Sequence, residues 1–309
     1  MFFKRFISHF QRLKGFKFAS YVLTNGVFKL DSKSFKKIQS FNLFSNYPVF
    51  TLCKNSSLVT NGNYHIGMYK TTVIGTDYTY YCYRKKKRYL ETKGIIERFA
   101  SKIPYNLCDV FYSDKNKMMY SPTVKGEQFF DRDHYEKMTN YLLESYKKLI
   151  ITNRDIKINN DVIHVPYCIQ HGDCHLGNIF WTNDEPLFID LDDMGNYPLF
   201  YDFFYFLIRY HKNDLTNVFL LESLKKRINN ALHDCGLESI NNPVDYFLSL
   251  FILHWANNVD KRMSKHDASF LFGWINNIDL KLFPASLDVV RILNSKLSKF
   301  NLGTVKYDV

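Results

Sequence analysis

Glycine and proline are scarce in this chain, 13 and 8 of 309 residues. There is accordingly no Gly-rich stretch to cradle a phosphate, no Pro-rich linker and no low-complexity block, and no internal repeat is visible. The cysteines Cys53, Cys82, Cys108, Cys168, Cys174 and Cys235 form no CxxC pair and no disulfide-scaffold spacing, so they are expected as reduced, mostly buried thiols. The histidines show no zinc-like spacing. Long apolar runs are missing too. Leu199 to Tyr210 and Tyr246 to Ala256 fall short of a bilayer span, the first contains Asp202, and both are expected as buried helices. The start MFFKRF lacks a continuous apolar stretch with a small-residue cleavage site, so a cytoplasmic protein is expected rather than a secreted one.

Acids are nearly absent at the beginning: the first 60 residues hold ten Lys/Arg and only Asp31. The imbalance is local. Residues 1–150 carry 26 basic and 11 acidic side chains (+15), residues 151–199 carry 2 and 8 (−6), and residues 200–309 carry 13 and 11 (+2). An acidic stretch between basic or neutral regions is what a cation-binding centre needs, although acidic surface loops give the same count. The bulk composition, 46% hydrophobic and 23% charged with 28 Phe and 22 Tyr, is that of a folded globular protein.

Periodicity divides the chain into three parts. Residues 1–45 read as a basic amphipathic extension, with Phe3, Phe6, Ile7, Phe10, Leu13 and Phe16 at helical spacing among Lys4, Arg5, Arg12 and Lys14. Two readings fit this stripe: residues 1–18 lie on an anionic membrane surface, or they dock their Phe face on the rest of the fold. Residues 46–123 read as a small antiparallel sheet with one helix. Strands Tyr47 to Thr60 and Tyr64 to Ile74 flank Asn61-Gly62-Asn63, a hairpin signal, and Gly75-Thr76-Asp77 leads into a strand Tyr78 to Tyr83. A helix from Tyr89 to Phe99 and strands Cys108 to Tyr112 and Lys117 to Thr123 complete that part. Residues 124–309 are mainly helical, opening with a helix N-capped by Asp133 and interrupted by short strands at Val162 to Tyr167, Ile179 to Trp181 and Leu187 to Ile189. The expected class is α+β, a sheet-rich first lobe and a helical second one.

The chemistry concentrates in Gln170 to Asp193, QHGDCHLGNIFWTNDEPLFIDLDD. Phosphoryl transfer needs a carboxylate to orient or deprotonate the attacking hydroxyl and hard oxygen donors to hold Mg²⁺ against nucleotide phosphates. Asp173 suits the first task; Asn178 and Asp190, brought together by the hairpin between them, suit the second. Asp192 follows on what would be the same strand face as Asp190, either assisting the metal or exposed. His175 contacts substrate or makes a local hydrogen bond. His254 and Trp255 read as core.

This segment resembles the aminoglycoside phosphotransferase and choline kinase superfamily, small-molecule kinases with a protein-kinase-like bilobal fold. The family pattern is His-Gly-Asp, four residues, Asn, and a later Ile-Asp in an apolar strand; His171-Gly172-Asp173, Asn178 and Ile189-Asp190 match it in order. The resemblance implies Asp173 as catalytic base, His171 as support for the catalytic loop, Asn178 and Asp190 as metal ligands, and Asp202 in Tyr201-Asp202-Phe203 as a brace beneath that loop. It implies ATP and Mg²⁺ as cofactors. It also asks for a strand lysine near the nucleotide phosphates and a helix glutamate to pair with it. Lys85 and Glu91 are the candidates, with Arg84, Lys86 and Glu97 as alternatives and a solvated RKKKR face as the plain reading.

The expected activity is ATP-dependent transfer of the γ-phosphate to a hydroxyl of a small molecule or glycan. The weak charge of residues 200–309 speaks against a polycationic aminoglycoside acceptor and suits a neutral or anionic one, such as a cell-envelope sugar or a lipid-linked intermediate. Two rivals stand beside this: a catalytically inactive kinase-like protein that binds a nucleotide or partner, and a nucleic-acid binder suggested by the pI of about 9.2. The latter is not expected, since the basic residues concentrate in the extension and one short run without a recognised binding motif.

Overall fold

The computed structural model describes residues 85–114, 117–125, 132–158, 161–211, 214–258 and 273–297, and a series of short strands before them. Two compact units emerge: Met1–Glu97 with Leu107–Gly126, and Arg98–Asn106 with Glu127–Val309. The order is antiparallel strands first and helices mostly later, an α+β chain. The first unit holds ten strands and most of helix α1, Lys86–Phe99, among the described residues.

Six strands form one sheet in the order β1 (Val22–Leu23), β6 (Asn63–Ile66), β7 (Lys70–Ile74), β8 (Tyr78–Tyr83), β10 (Met118–Pro122) and β9 (Phe111–Ser113). All its pairings are antiparallel, and β7 pairs with β8 with Ile74 opposite Thr79; the expected turn at Gly75-Thr76-Asp77 lies outside the described residues. A second sheet has the order β3 (Phe35–Lys37), β2 (Val27–Leu30), β5 (Ser57–Asn61) and β4 (Thr51–Cys53).

Two expectations change here. Among the described residues β5 pairs with β2 and β4 while β6 pairs with β1 and β7, so these two strands do not form the hairpin expected across Asn61-Gly62-Asn63. The turn signal is overridden by other partners, among them β2 and β1, which lie more than 20 residues upstream. In addition, residues 22–37 of the expected extension contribute strands to both sheets. Residues 1–18, with the Phe stripe, lie outside the described residues.

Helix α1 starts three residues before the expected Tyr89. Its sequence KKRYLETKGIIERF is rich in straight-chain helix formers, so propensity favours the earlier start. Tyr89 is buried, packs edge-on against Tyr83 of β8, and donates from its hydroxyl to Asp114 at 2.6 Å. Lys93 reaches the same carboxylate at 2.9 Å.

The second unit opens with α2, Arg132–Tyr146. Asp133 lies inside its first turn, paired with Lys137 at 2.9 Å, and is not the residue before the helix. A three-stranded sheet follows in the order β11 (Thr152–Ile158), β12 (Asp161–Gln170) and β15 (Gly195–Pro198). The hairpin of β13 (Ile179–Thr182) and β14 (Glu185–Phe188) turns at Asn183 and Asp184, both with positive φ. That conformation is the type I′ pattern of two-residue hairpins, and Asn and Asp tolerate it better than other side chains.

Among the described residues, helices α3 (Tyr201–His211), α4 (Leu215–Leu220), α5 (Glu222–Asp234), α6 (Pro243–Asn258) and α7 (Pro284–Leu297) follow. Every residue from Tyr201 to Ile208 is buried, as are Phe247, Leu248 and Leu250 to Leu253 of α6. The two apolar runs are thus core helices. Tyr201 stacks on Phe251 with ring centres 4.8 Å apart, and Phe200 meets Phe247 edge-on at 4.7 Å. Among the described residues no helix is long and apolar enough to cross a membrane.

Candidate active site

β12 ends at Gln170, and the chain turns away through Gly172 at φ +85°. A side chain there would be strained, and its Cβ would sit 2.3 Å from the Tyr197 hydroxyl and 2.4 Å from the Asp193 carbonyl. The turn is held from below by α3. Asp202 is fully buried and accepts the backbone N–H groups of His171 (2.7 Å) and Gly172 (2.9 Å). Burial pushes its carboxyl upward from the usual range, against the opposing pull of the His171 charge and these two N–H bonds. Gln170, also fully buried, joins the same elements: Oε1 accepts from the Asp202 N–H (2.9 Å) and the Tyr146 hydroxyl (2.7 Å), and Nε2 donates to the Pro198 carbonyl (2.7 Å). The first-turn N–H groups of α3, unsatisfied by the helix itself, thereby find acceptors in Gln170 and in the Tyr146 hydroxyl, 3.3 Å from the Phe203 N–H.

His171 is buried within this turn. Its Nδ1 accepts the Asp173 N–H at 3.3 Å, which leaves Nε2 as the protonated nitrogen that donates to the Ile189 carbonyl at 2.9 Å. The ring so links the loop to the residue preceding Asp190. A 3-10 turn, Leu176–Asn178, returns the chain into β13, with Ile179 opposite Phe188. The pairing extends one step further: Ile189 N–H donates to the Asn178 carbonyl at 3.0 Å. Asn178 and Ile189-Asp190 therefore sit side by side at the open end of the hairpin.

Asp190 has a left-handed backbone (φ 60°, ψ 64°) and opens a 3-10 turn, Leu191–Asp193. Strand alternation does not continue past it, so the expectation that Asp192 shares its face fails: a 3-10 turn advances about 120° per residue, not 180°.

Asp173 lies at the centre of the cluster. Its Oδ2 accepts from Asn178 Nδ2 at 2.9 Å, and the same Nδ2 is 3.0 Å from the Asp173 carbonyl. Its Oδ1 accepts from the Tyr205 hydroxyl at 2.9 Å, and His175 Nε2 stands 3.5 Å from Oδ2. Burial works to raise the Asp173 carboxyl. The hydrogen bond to His175, the electrostatic pull of His175 and His171 and the Tyr205 hydroxyl outweigh it, so the group lies well below the usual carboxylate range. Arg209 donates to the Tyr205 oxygen at 2.9 Å and lies over its ring at 5.2 Å, with Trp255 stacked parallel to that ring at 6.5 Å.

The structure therefore gathers His171, Asp173, Asn178 and Asp190 on one loop and hairpin, braced by Asp202. Lys85 and Glu91 lie in the other unit. The strand ends at Tyr83, and Lys85 occupies an exposed bend whose carbonyl accepts the Tyr89 N–H at 3.1 Å, so strand alternation does not govern where its side chain falls. Glu91 is exposed on α1, near Arg88 (3.7 Å) and Lys87 (4.0 Å), while Lys93 has the carboxylate partners Asp114 and Glu97. Sequence reasoning missed Tyr205, Arg209 and Gln170. Asp202, Tyr205 and Arg209 follow at intervals of three and four, one polar face in an apolar helix, and that spacing was the available signal.

Residues 130–225 match the phosphotransferase enzyme family. The phosphotransferase match runs from before α2 into α5 and takes in every residue of the loop cluster. A shorter likeness links the chain to stress response kinase A of Salmonella choleraesuis (strain SC-B67), 62% identical over 32 residues, and to that of Escherichia coli (strain K12), 59% identical over 32 residues. Each spans about 10% of this chain and 10% of the relative's length. Among solved structures, amicoumacin kinase hAmiN in complex with AMP-PNP, Ca²⁺ and Ami overlaps 78% of this chain and 87% of its own, at 13% identity and TM-score 0.38. A choline/ethanolamine kinase family protein from Mesorhizobium loti overlaps 76% and 85%, at 11% identity and TM-score 0.36.

Proposed function

We propose that the chain is an ATP-dependent phosphotransferase that moves the γ-phosphoryl group to a hydroxyl of a small molecule or sugar. The observation that carries this reading is the double hold of Asn178 Nδ2 on the side chain and carbonyl of Asp173, at 2.9 and 3.0 Å. It fixes a carboxylate beside an amide whose remaining atom, Oδ1, is a hard acceptor. Asp173 orients the acceptor hydroxyl for in-line attack, and His171 and Asp202 hold the loop that carries it.

Asn178 Oδ1 and the Asp190 carboxylate are the proposed metal ligands. Among the described residues no three His, Cys, Asp or Glu side chains gather into a cage that would hold a resident ion. Two oxygen donors at the end of a hairpin suit instead an Mg²⁺ that arrives on nucleotide phosphates and keeps several waters. When bound, Mg²⁺ supplies neutralisation of phosphate charge. Lys85 and Glu91 remain the proposed nucleotide contacts, with residues 46–123 as the nucleotide part and 124–309 as the acceptor part.

The acceptor proposed from charge is neutral or anionic, a cell-envelope sugar or a lipid-linked intermediate. The test is phosphate transfer from labelled ATP with Mg²⁺ across sugars, amino alcohols, aminoglycosides and a Ser/Thr peptide. The peptide belongs in the panel because a relative from Salmonella typhimurium is named a serine/threonine protein kinase. Asp173→Asn is expected to lower transfer about 100-fold or more. Absence of transfer to every acceptor, together with no Mg²⁺-dependent ATP hydrolysis by the wild type, refutes the proposal and favours an inactive nucleotide binder. A role for residues 1–18 at an anionic membrane loses its support if deletion of residues 1–18, which spares the strands at residues 22–37, leaves activity on soluble and membrane-bound acceptors unchanged.

A further inference from the structure

His175 occupies a position that neither the loop motif nor the mechanism above uses. Its Nδ1 accepts the Gly177 N–H at 2.9 Å, and its carbonyl accepts the Asn178 N–H at 2.9 Å, so it caps the 3-10 turn that delivers Asn178. A ring nitrogen that accepts a hydrogen bond bears no proton, and in a neutral imidazole the proton then resides on Nε2. Nε2 is the atom that faces Asp173 Oδ2, at 3.5 Å, the outer limit of a hydrogen bond and a distance of the kind that shortens when a site closes on its substrate. The turn is built closely around this ring. A Cβ on Gly177 would stand 2.8 Å from His175 Cε1 and 3.1 Å from Nδ1. Glycine at 177 is thus what lets the backbone amide approach the imidazole edge-on.

We propose that His175 is a positioning residue: the Gly177 amide holds the ring with Nδ1 as acceptor and Nε2 as donor, and that Nε2–H, together with Asn178 Nδ2, fixes Oδ2 of Asp173. Oδ1, where the Tyr205 hydroxyl now donates, is then the oxygen that turns toward the acceptor. The inference rests on the phosphotransfer reading for its kinetic consequence but not for the tautomer itself.

The two roles of His175, cap and donor, separate by substitution. Asparagine is a strong capping residue whose short carbonyl accepts from the turn's N–H groups, but it does not reach Asp173. His175→Asn is therefore expected to melt near the wild-type temperature while losing about tenfold in turnover, with the KM for ATP unchanged. The probe is phosphate release from ATP and Mg²⁺ with water as acceptor. Wild-type turnover in His175→Asn overturns the proposal, as does a loss confined to KM.

A second readout needs no turnover. In ¹⁵N spectra of the full chain, His175 is expected to show an unprotonated Nδ1 and a protonated Nε2, and Gly177→Ala is expected to mix the tautomers. A protonated Nδ1 overturns the proposal. If Asp173→Asn leaves phosphate release intact, the phosphotransfer reading fails while the tautomer result stands on its own.

Discussion

Asp202→Ala removes the support beneath the loop, and its cost follows from two distances. The buried carboxylate accepts the His171 N–H at 2.7 Å and the Gly172 N–H at 2.9 Å. Truncation leaves two buried donors without an acceptor, at roughly 1–3 kcal/mol each, and a void where the carboxylate stood. The sum is about 4 kcal/mol, inside the 3–5 kcal/mol that follows from removing one partner of a buried charged interaction. A unit of this size shifts its Tm by about 2–4 °C per kcal/mol, so the midpoint falls on the order of 10 °C. Asp202→Asn keeps the shape and one acceptor oxygen but turns an NH₂ toward the second N–H, so about half that drop is expected. Calorimetry of the full chain at neutral pH measures both. Turnover with Mg²⁺-ATP should fall in the same order, because the brace sets the height of Asp173. A melting point of Asp202→Ala within about 2 °C of the wild type would falsify the claim that the loop hangs on this side chain.

Three further outcomes are expected. Gly172→Ala combines a disfavoured backbone at φ +85° with a Cβ 2.3 Å from the Tyr197 hydroxyl, so it should cost more than about 3 kcal/mol and express largely unfolded; a soluble variant with native near-UV circular dichroism refutes this. Tyr205→Phe removes a donor from Asp173, whose depressed pKa stabilises the fold above the ordinary carboxylate value and ceases to do so as pH falls; with the depression reduced, acid unfolding should begin at higher pH than in the wild type, and an unchanged midpoint counts against the bond. His254 is pushed down from 6.5 to about 4 by burial and the nearby Arg154 charge, so the fold favours its neutral ring. Stability linked to it is present above pH 6.5 and declines by roughly 3 kcal/mol as pH drops toward 4. Urea midpoints at pH 7.5 and 4.5 should converge in His254→Gln relative to the wild type, and equal pH dependence in both proteins defeats the assignment.

The loop cluster was legible because its geometry is local. Residues 171 to 190 close on themselves through a two-residue turn, Asn183-Asp184, and no distant partner is needed to bring Asn178 beside Ile189. The core helices were legible for the same reason, since an apolar run such as Tyr201 to Ile208 has only one use in a globular chain. The first unit was harder. What β5 pairs with is decided by β2, about 30 residues earlier, and a local Asn-Gly signal carries no information about that competition. Strand β11, TNRDIKI, escaped notice because it is an edge strand exposed at Thr152 to Asp155, where charge blunts the edge and erases the apolar alternation that marks a strand. The lysine at 85 was assigned by alternation from a strand that ends two residues earlier, and the helix formers that follow it were the stronger signal.

The donors around Asp173 bear on what the carboxylate does. A general base works best with a pKa near the operating pH, and burial alone would have moved Asp173 in that direction. Instead His175 and Tyr205 hold the group below the usual carboxylate range against burial, and Asn178 donates to the same carboxylate at 2.9 Å. Such a carboxylate is a weak proton acceptor and a well-fixed anion. Phosphoryl transfer through a loose transition state demands little proton abstraction early on, and the attacking hydroxyl needs a fixed acceptor to aim its lone pair at phosphorus. Acyl transfer or abstraction of a carbon-bound proton would ask for the opposite tuning. A carboxylate held by donors on both of its oxygens suits a reaction governed by orientation, and the Tyr205 hydroxyl, hydrogen-bonded to Oδ1, marks where an acceptor hydroxyl would have to bind.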